Sequence, residues 1–137
     1  MKNLIIIFLI LITVSCKKYE EGPSISFKSK SNRLTSVWVV QDVTLKDSSI
    51  LKSYPYYIFG FYNEGLFEAH SLDTSFNYKG WWEFSHDKNF IQISNIKTGI
   101  IERWKIIKLT KDKFWYKIQT DDPEEKDWIY VKLNASN

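Results

Sequence analysis

The sequence predicts an all-β protein: a small antiparallel up-and-down β-barrel of about eight strands, set behind a signal peptide and a flexible tether. Three observations predict it. Aromatic residues are abundant, with six Trp, eight Tyr and nine Phe, and such side chains suit the pleated, half-buried faces of strands. From Arg33 onward, short apolar runs alternate with turn residues at intervals that fit strands and hairpins. Nowhere do apolar residues recur at helical spacing over two turns. Consecutive hairpin-linked strands are expected to close on themselves, because closure removes exposed sheet edges.

The chain begins with one positive side chain, Lys2, followed by nine consecutive apolar residues, Leu4 to Ile12. That is the size of a signal-peptide core and falls well short of the roughly 20 residues that span a bilayer as a helix. Thr13-Val14-Ser15 then shrinks to small side chains before Cys16, the single cysteine of the protein. The run Ile12-Thr13-Val14-Ser15-Cys16 resembles the lipobox of lipoprotein signal peptidase, with Thr13 in place of the preferred leucine. The resemblance implies cleavage before Cys16 and a diacylglycerol on its sulfur. A lone exported cysteine is otherwise odd, since exported cysteines normally pair. Residues 17–32 are polar, carry Gly22-Pro23 and lack the apolar density to fold alone, so they read as a tether. The organisation expected is therefore a signal peptide over 1–15, a lipidated tether over 16–32 and a barrel domain over 33–137.

Within the domain the first strand is expected over Val37 to Leu45 and the second over Tyr56 to Tyr62. Asn63-Glu64-Gly65 then offers a turn with glycine available for positive φ. Leu66 to Leu72 returns as the third strand. Trp81 to Ser85 is the fourth, past Asp73-Thr74-Ser75 and a Gly80 hinge. His86-Asp87-Lys88-Asn89 turns into Phe90 to Ser94, and Gly99 precedes Ile100 to Leu109. Lys111-Asp112-Lys113 turns into Phe114 to Thr120, and an acidic loop precedes Trp128 to Leu133. Residues spaced by two share a strand face. The inner face is accordingly read as Trp38 and Val40, Phe59 and Phe61, Phe67 and Ala69, Trp82 and Phe84, Ile91 and Ile93, Phe114 and Tyr116. The sixth and eighth strands stay ambiguous: Ile106-Ile107 puts apolar residues on both faces, as at a bulge, and Trp128/Tyr130 competes with Ile129/Val131/Leu133.

Over the chain past Cys16 the sequence resembles the lipocalin-like lipoproteins of Bacteroidota. Leu34-Thr35-Ser36-Val37-Trp38 is similar to that family's Leu-Thr-Gly-x-Trp start, with Ser36 where glycine is usual. Phe59-Gly60-Phe61-Tyr62-Asn63-Glu64-Gly65 and Gly80-Trp81-Trp82-Glu83-Phe84 follow in the family's order. Cys-Lys-Lys-Tyr-Glu-Glu resembles the short charged signals that send such lipoproteins to the outer face of the outer membrane. The resemblance implies a lipocalin-like barrel at an envelope address, lipid-anchored in the outer membrane and surface-exposed. It implies no known ligand.

Charge excludes one class of partner. The chain holds 19 Lys and Arg against 16 Asp and Glu, which is no nucleic-acid signature. Catalysis finds little support. His70 and His86 stand apart from any ligand spacing, zinc would want three or four convergent ligands, and no Gly-x-Ser-x-Gly pattern occurs. Glu64, Glu68, Glu83 and Glu102 are read as lying on turns or outward faces. Asp121, Asp122, Glu124, Glu125 and Asp127 crowd one loop, but without the spacing of a calcium loop they read as a solvated turn. No cofactor is expected beyond the covalent lipid.

Two readings of function remain. In the first, the barrel mouth holds a small apolar or amphipathic ligand, with Trp38, Tyr57, Phe59, Phe61, Trp82, Arg103 and Tyr116 as candidate lining. Arg103 joins them if it points inward; otherwise it is an outer arginine paired with a neighbour such as Glu83. In the second, the barrel is filled and exposed aromatics such as Trp81, Trp104 or Trp115 dock an envelope protein or a glycan.

Overall fold

A computed structural model describes residues 29–118 and 129–136. Cys16, the tether as far as Lys28, the acidic loop, Thr120 and Trp128 lie outside the described residues. The strands are β1 (Ser36–Leu45), β2 (Ser48–Ser49), β3 (Tyr56–Phe61), β4 (Leu66–Ser71), β5 (Tyr78–Phe84), β6 (Phe90–Asn95), β7 (Ile101–Leu109), β8 (Lys113–Ile118) and β9 (Ile129–Ala135). Each is antiparallel to its neighbour, and β1 pairs with β9 as well as with β3, which closes the sheet. β2 only extends β1, through a Lys46-Asp47 turn with φ of 51° and 64°, the primed geometry that matches strand twist. Eight strands therefore form the barrel, as the alternation predicts.

The inner face follows the pairs read from the sequence. Trp38, Phe59, Phe61, Phe67, Ala69, Trp82, Ile91, Ile93, Phe114 and Tyr116 are buried in one cluster, with Val40 and Phe84 packed against it. The ambiguous strands are settled by a bulge and by register. β7 shifts between Ile106 and Lys108, so Trp104 and Ile106 before the bulge and Leu109 after it all face inward. In β9, Val131 and Leu133 are buried and Tyr130 is exposed.

Gly80 is no hinge. It sits inside β5, where a Cβ would stand 2.5 Å from the Ser94 carbonyl oxygen; the strand needs glycine because β6 approaches so closely. The turn after β3 does use glycine for its backbone, with Gly65 at φ 84°.

A short helix, α1 (Lys30–Leu34), precedes β1, with the Ser29 side chain accepting from the Asn32 N–H at its start. It begins inside the segment read as tether. Leu34 is fully buried against the barrel core. The Trp38 indole N–H donates to the Leu34 carbonyl at 2.8 Å, and Arg33 Nη1 donates to the Leu109 carbonyl at 2.9 Å. These bonds tie α1 over the end of the barrel where β1 starts and β7 finishes. This capped end is also where the described part of the chain begins.

Candidate functional site

The structure brings five of the seven candidate lining residues together and separates two. Trp38, Phe59, Phe61, Trp82 and Tyr116 pack in the interior. They touch one another and further rings. Phe61 meets Phe67, Trp82, Trp104 and Phe114 with centroids between 5.0 and 6.2 Å apart, all edge to face. Trp104 stacks flat on Tyr116 at 4.1 Å, and Trp38 meets Phe114 edge-on at 5.7 Å. The edge-on contacts are the arrangement that the ring quadrupole favours.

Tyr57 and Arg103 lie on the outside. A bulge between Tyr56 and Ile58 turns Tyr57 to solvent, where it is 40 % exposed, and packs Tyr56 against the core instead. Arg103 is exposed with its guanidinium over the Phe90 ring at 4.5 Å. Two further readings are corrected. Trp104 is buried, not an exposed docking residue. Glu102 shares its inner face and accepts from the Trp104 indole N–H at 2.9 Å, so it is neither outward nor on a turn.

At the end opposite α1, the interior changes character. Tyr54, Tyr56 and Tyr78 line it above Tyr116 and beside Glu102. Tyr56 meets Tyr54 at 5.9 Å and Tyr78 at 5.6 Å, both edge-on. The Tyr116 hydroxyl is fully buried; among the described residues no contact on it meets strict hydrogen-bond geometry, but the Tyr54 hydroxyl lies close enough to act on it as a hydrogen-bond partner. Burial first, then the nearby Tyr54 hydroxyl and Glu102 carboxylate, push the Tyr116 phenol well above its ordinary range. Burial likewise raises Tyr54, Tyr56 and Tyr78, with Glu102 adding to each. Sequence reasoning missed Tyr56 and Glu102 because the bulges in β3 and β7 shift their face relative to the strand's other half; it missed Tyr78 because the strand is read as starting past Gly80, and Tyr54 because it precedes β3.

The loops at this far end carry an apolar rim. Leu72 is 90 % exposed and Phe76 55 % on the β4–β5 connection, and Ile100 is 62 % exposed beside Ile96 on the β6–β7 connection. Leu51 adds to them from the segment before β3. The capped-end connections over 85–89 and 110–112 are polar. Exposed large apolar side chains mark contact surfaces where they adjoin in one patch.

The outer wall is mostly covered by its own charges. Lys108 and Lys132 lie over the Trp115 ring at 4.5 and 4.7 Å, and Lys117 lies over Tyr130 at 4.8 Å. Glu68 pairs with Lys79 at 3.1 Å and with His70 at 3.4 Å; the Lys79 bond above all holds the Glu68 carboxyl below its usual range. No three His, Cys, Asp or Glu residues converge as a metal-binding group among the described residues. No protein-family model matches the chain, and no curated protein sequence matches it.

Proposed function

We propose that this chain is a lipocalin-like envelope lipoprotein, anchored through acyl chains on Cys16, whose filled barrel serves as a rigid scaffold for docking a protein partner. The observation that carries the reading is the aromatic interior: Trp38, Phe59, Phe61, Trp82 and Tyr116 are spent on one another, and a packed core is not a ligand cavity. The apolar rim of Leu51, Leu72, Phe76, Ile96 and Ile100 supports it from the other side. The tether reaches the domain at α1, so the rim points away from the anchored end and toward whatever faces the membrane-bound protein. The partner fitted to such a rim is an envelope protein with an apolar face.

A photoreactive phenylalanine analogue placed at position 76 tests this in cells. The expected result is a discrete protein adduct, lost when Leu72 and Ile100 are both changed to Ser. Absence of any protein adduct from position 76 and from position 72 would refute the docking reading.

A second reading, a small amphipathic ligand held in the far end of the barrel, draws on the buried Tyr116 hydroxyl and the phenols and carboxylate around it. A buried hydroxyl left unbonded costs about 1–3 kcal/mol, and a ligand or water that bonded it would recover part of that. Native mass spectrometry separates the two readings.

A further inference from the structure

On the outer wall, Trp81 is the most exposed ring that a described strand carries, and unlike several others it has no cation over it among the described residues. Phe90, Trp115 and Tyr130 each lie under a cation of their own sheet. Trp81 does not. Its indole is 54 % exposed, and among the described residues it has no ring contact and no hydrogen bond from Nε1. Register explains what surrounds it: Trp81 pairs with Ser94, and Ser94 with Ile101, in one row across β5, β6 and β7. The next row is Glu83, Gln92 and Arg103. Trp81, Glu83, Gln92, Ser94 and Ile101 together line a groove of about 280 Å³.

We propose that this groove is a carbohydrate-binding platform, with Trp81 as the stacking surface and Glu83, Gln92 and Ser94 as the groups that bond sugar hydroxyls. A sugar ring has an apolar C–H face and an edge of hydroxyls that both donate and accept. The groove offers the complement: a bare indole with 64 %-exposed Ile101 beyond it, a carboxylate that accepts, an amide that does both and the Ser94 hydroxyl, which accepts while its own proton lies toward the Trp81 carbonyl at 3.5 Å. Neither Glu83 nor Gln92 makes a side-chain hydrogen bond or ion pair with another described residue, so both are available. Other occupants fit less well. A peptide strand would need a free sheet edge to add to, and β5, β6 and β7 are each paired on both sides. An acyl chain would find a groove this small and this polar a poor place to bury its length. The inference rests on the barrel working from its outer surface, but on a different face from the apolar rim.

Affinity electrophoresis of the full lipoprotein in detergent, through native gels containing mannan, dextran or xylan, tests it. Retardation is expected in at least one gel, abolished by Trp81→Ala, partly kept by Trp81→Tyr, weakened by Glu83→Gln and unchanged by Trp115→Ala. Trp81 lies outside the core, so the alanine variant should keep the parent circular dichroism and melting temperature. No retardation of the parent in any of the three gels overturns the proposal, as does retardation that survives Trp81→Ala. Photo-crosslinking at position 76 reads the rim alone, so failure of one surface is distinguishable from failure of the other.

Discussion

Replacing Phe61 with Ala probes the filled barrel where its packing converges. Phe61 is fully buried and touches four rings, at 5.0 Å for Phe67 and 5.9 to 6.2 Å for Phe114, Trp82 and Trp104. Phe-to-Ala changes in cores cost about 3–5 kcal/mol, the larger values where the surroundings cannot collapse. Here they are held apart: each ring stands on a strand bonded on both sides, in a sheet closed by the β1–β9 pairing. The expected loss is therefore about 4–5 kcal/mol, a large part of the ~5–15 kcal/mol that holds a domain folded. With a urea slope of about 1–2 kcal/mol/M, the midpoint should fall by about 2–5 M at unchanged slope. The new apolar void should bind benzene, which the parent should not. A loss below about 1 kcal/mol would mean that Phe61 already faces empty space, and the filled-core reasoning would fail.

Other perturbations follow from single contacts. Tyr116→Phe removes a buried hydroxyl that meets strict hydrogen-bond geometry with no described residue, so thermal unfolding should show it neutral or slightly stabilising, by up to about 1 kcal/mol; a clear loss would reveal a working bond on that oxygen, with Tyr54 as the neighbour to supply it. The raised phenols of Tyr54, Tyr78 and Tyr116 contribute stability that is full below the ordinary tyrosine range near pH 10 and declines as pH rises above it. Tyrosinate absorbance should accordingly lag behind that of free tyrosine until the protein unfolds in alkali, and ordinary titration of all the tyrosines in the folded state would contradict this. Gly80→Ala should cost about 1–3 kcal/mol by overpacking against the Ser94 carbonyl, measured by urea unfolding. Cys16→Ser should abolish incorporation of labelled palmitate and move the protein from the detergent to the aqueous phase on partition; lipid retained on the serine variant would exclude Cys16 as the anchor.

Much of the fold was legible because alternation survives wherever a strand is regular. Phe59/Phe61, Phe67/Ala69, Ile91/Ile93 and Phe114/Tyr116 each occupy an uninterrupted stretch, and each pair faces inward as its spacing demands. Bulges are where the reading broke. Counting back by twos from Phe59 places Tyr57 inside, but the shift between Tyr56 and Ile58 inverts the count and sends Tyr56 in its stead. Counting back from Leu109 places Arg103 inside and Trp104 outside, and the shift between Ile106 and Lys108 reverses both. A single extra residue flips every later side chain to the other face, and nothing in a local apolar pattern marks where that residue falls. The lining of the far end was hidden for the same reason, since Tyr56 and Glu102 lie on the side of a bulge away from the strong alternation. The Trp81 groove was hidden differently: its row joins residues from three strands, and only the register of β5, β6 and β7 brings Trp81, Ser94 and Ile101 into line.

Native mass spectrometry of the protein, purified from the cells that make it and released from detergent, tests the filled barrel most directly. A filled barrel predicts the mass of the chain with its covalent modifications alone, with no noncovalent small molecule retained and none taken up from an added fatty-acid or retinoid mixture. A stoichiometric adduct that survives release, and that is lost when Tyr116 and Tyr78 are both changed to Phe, would contradict it and place the function inside the barrel.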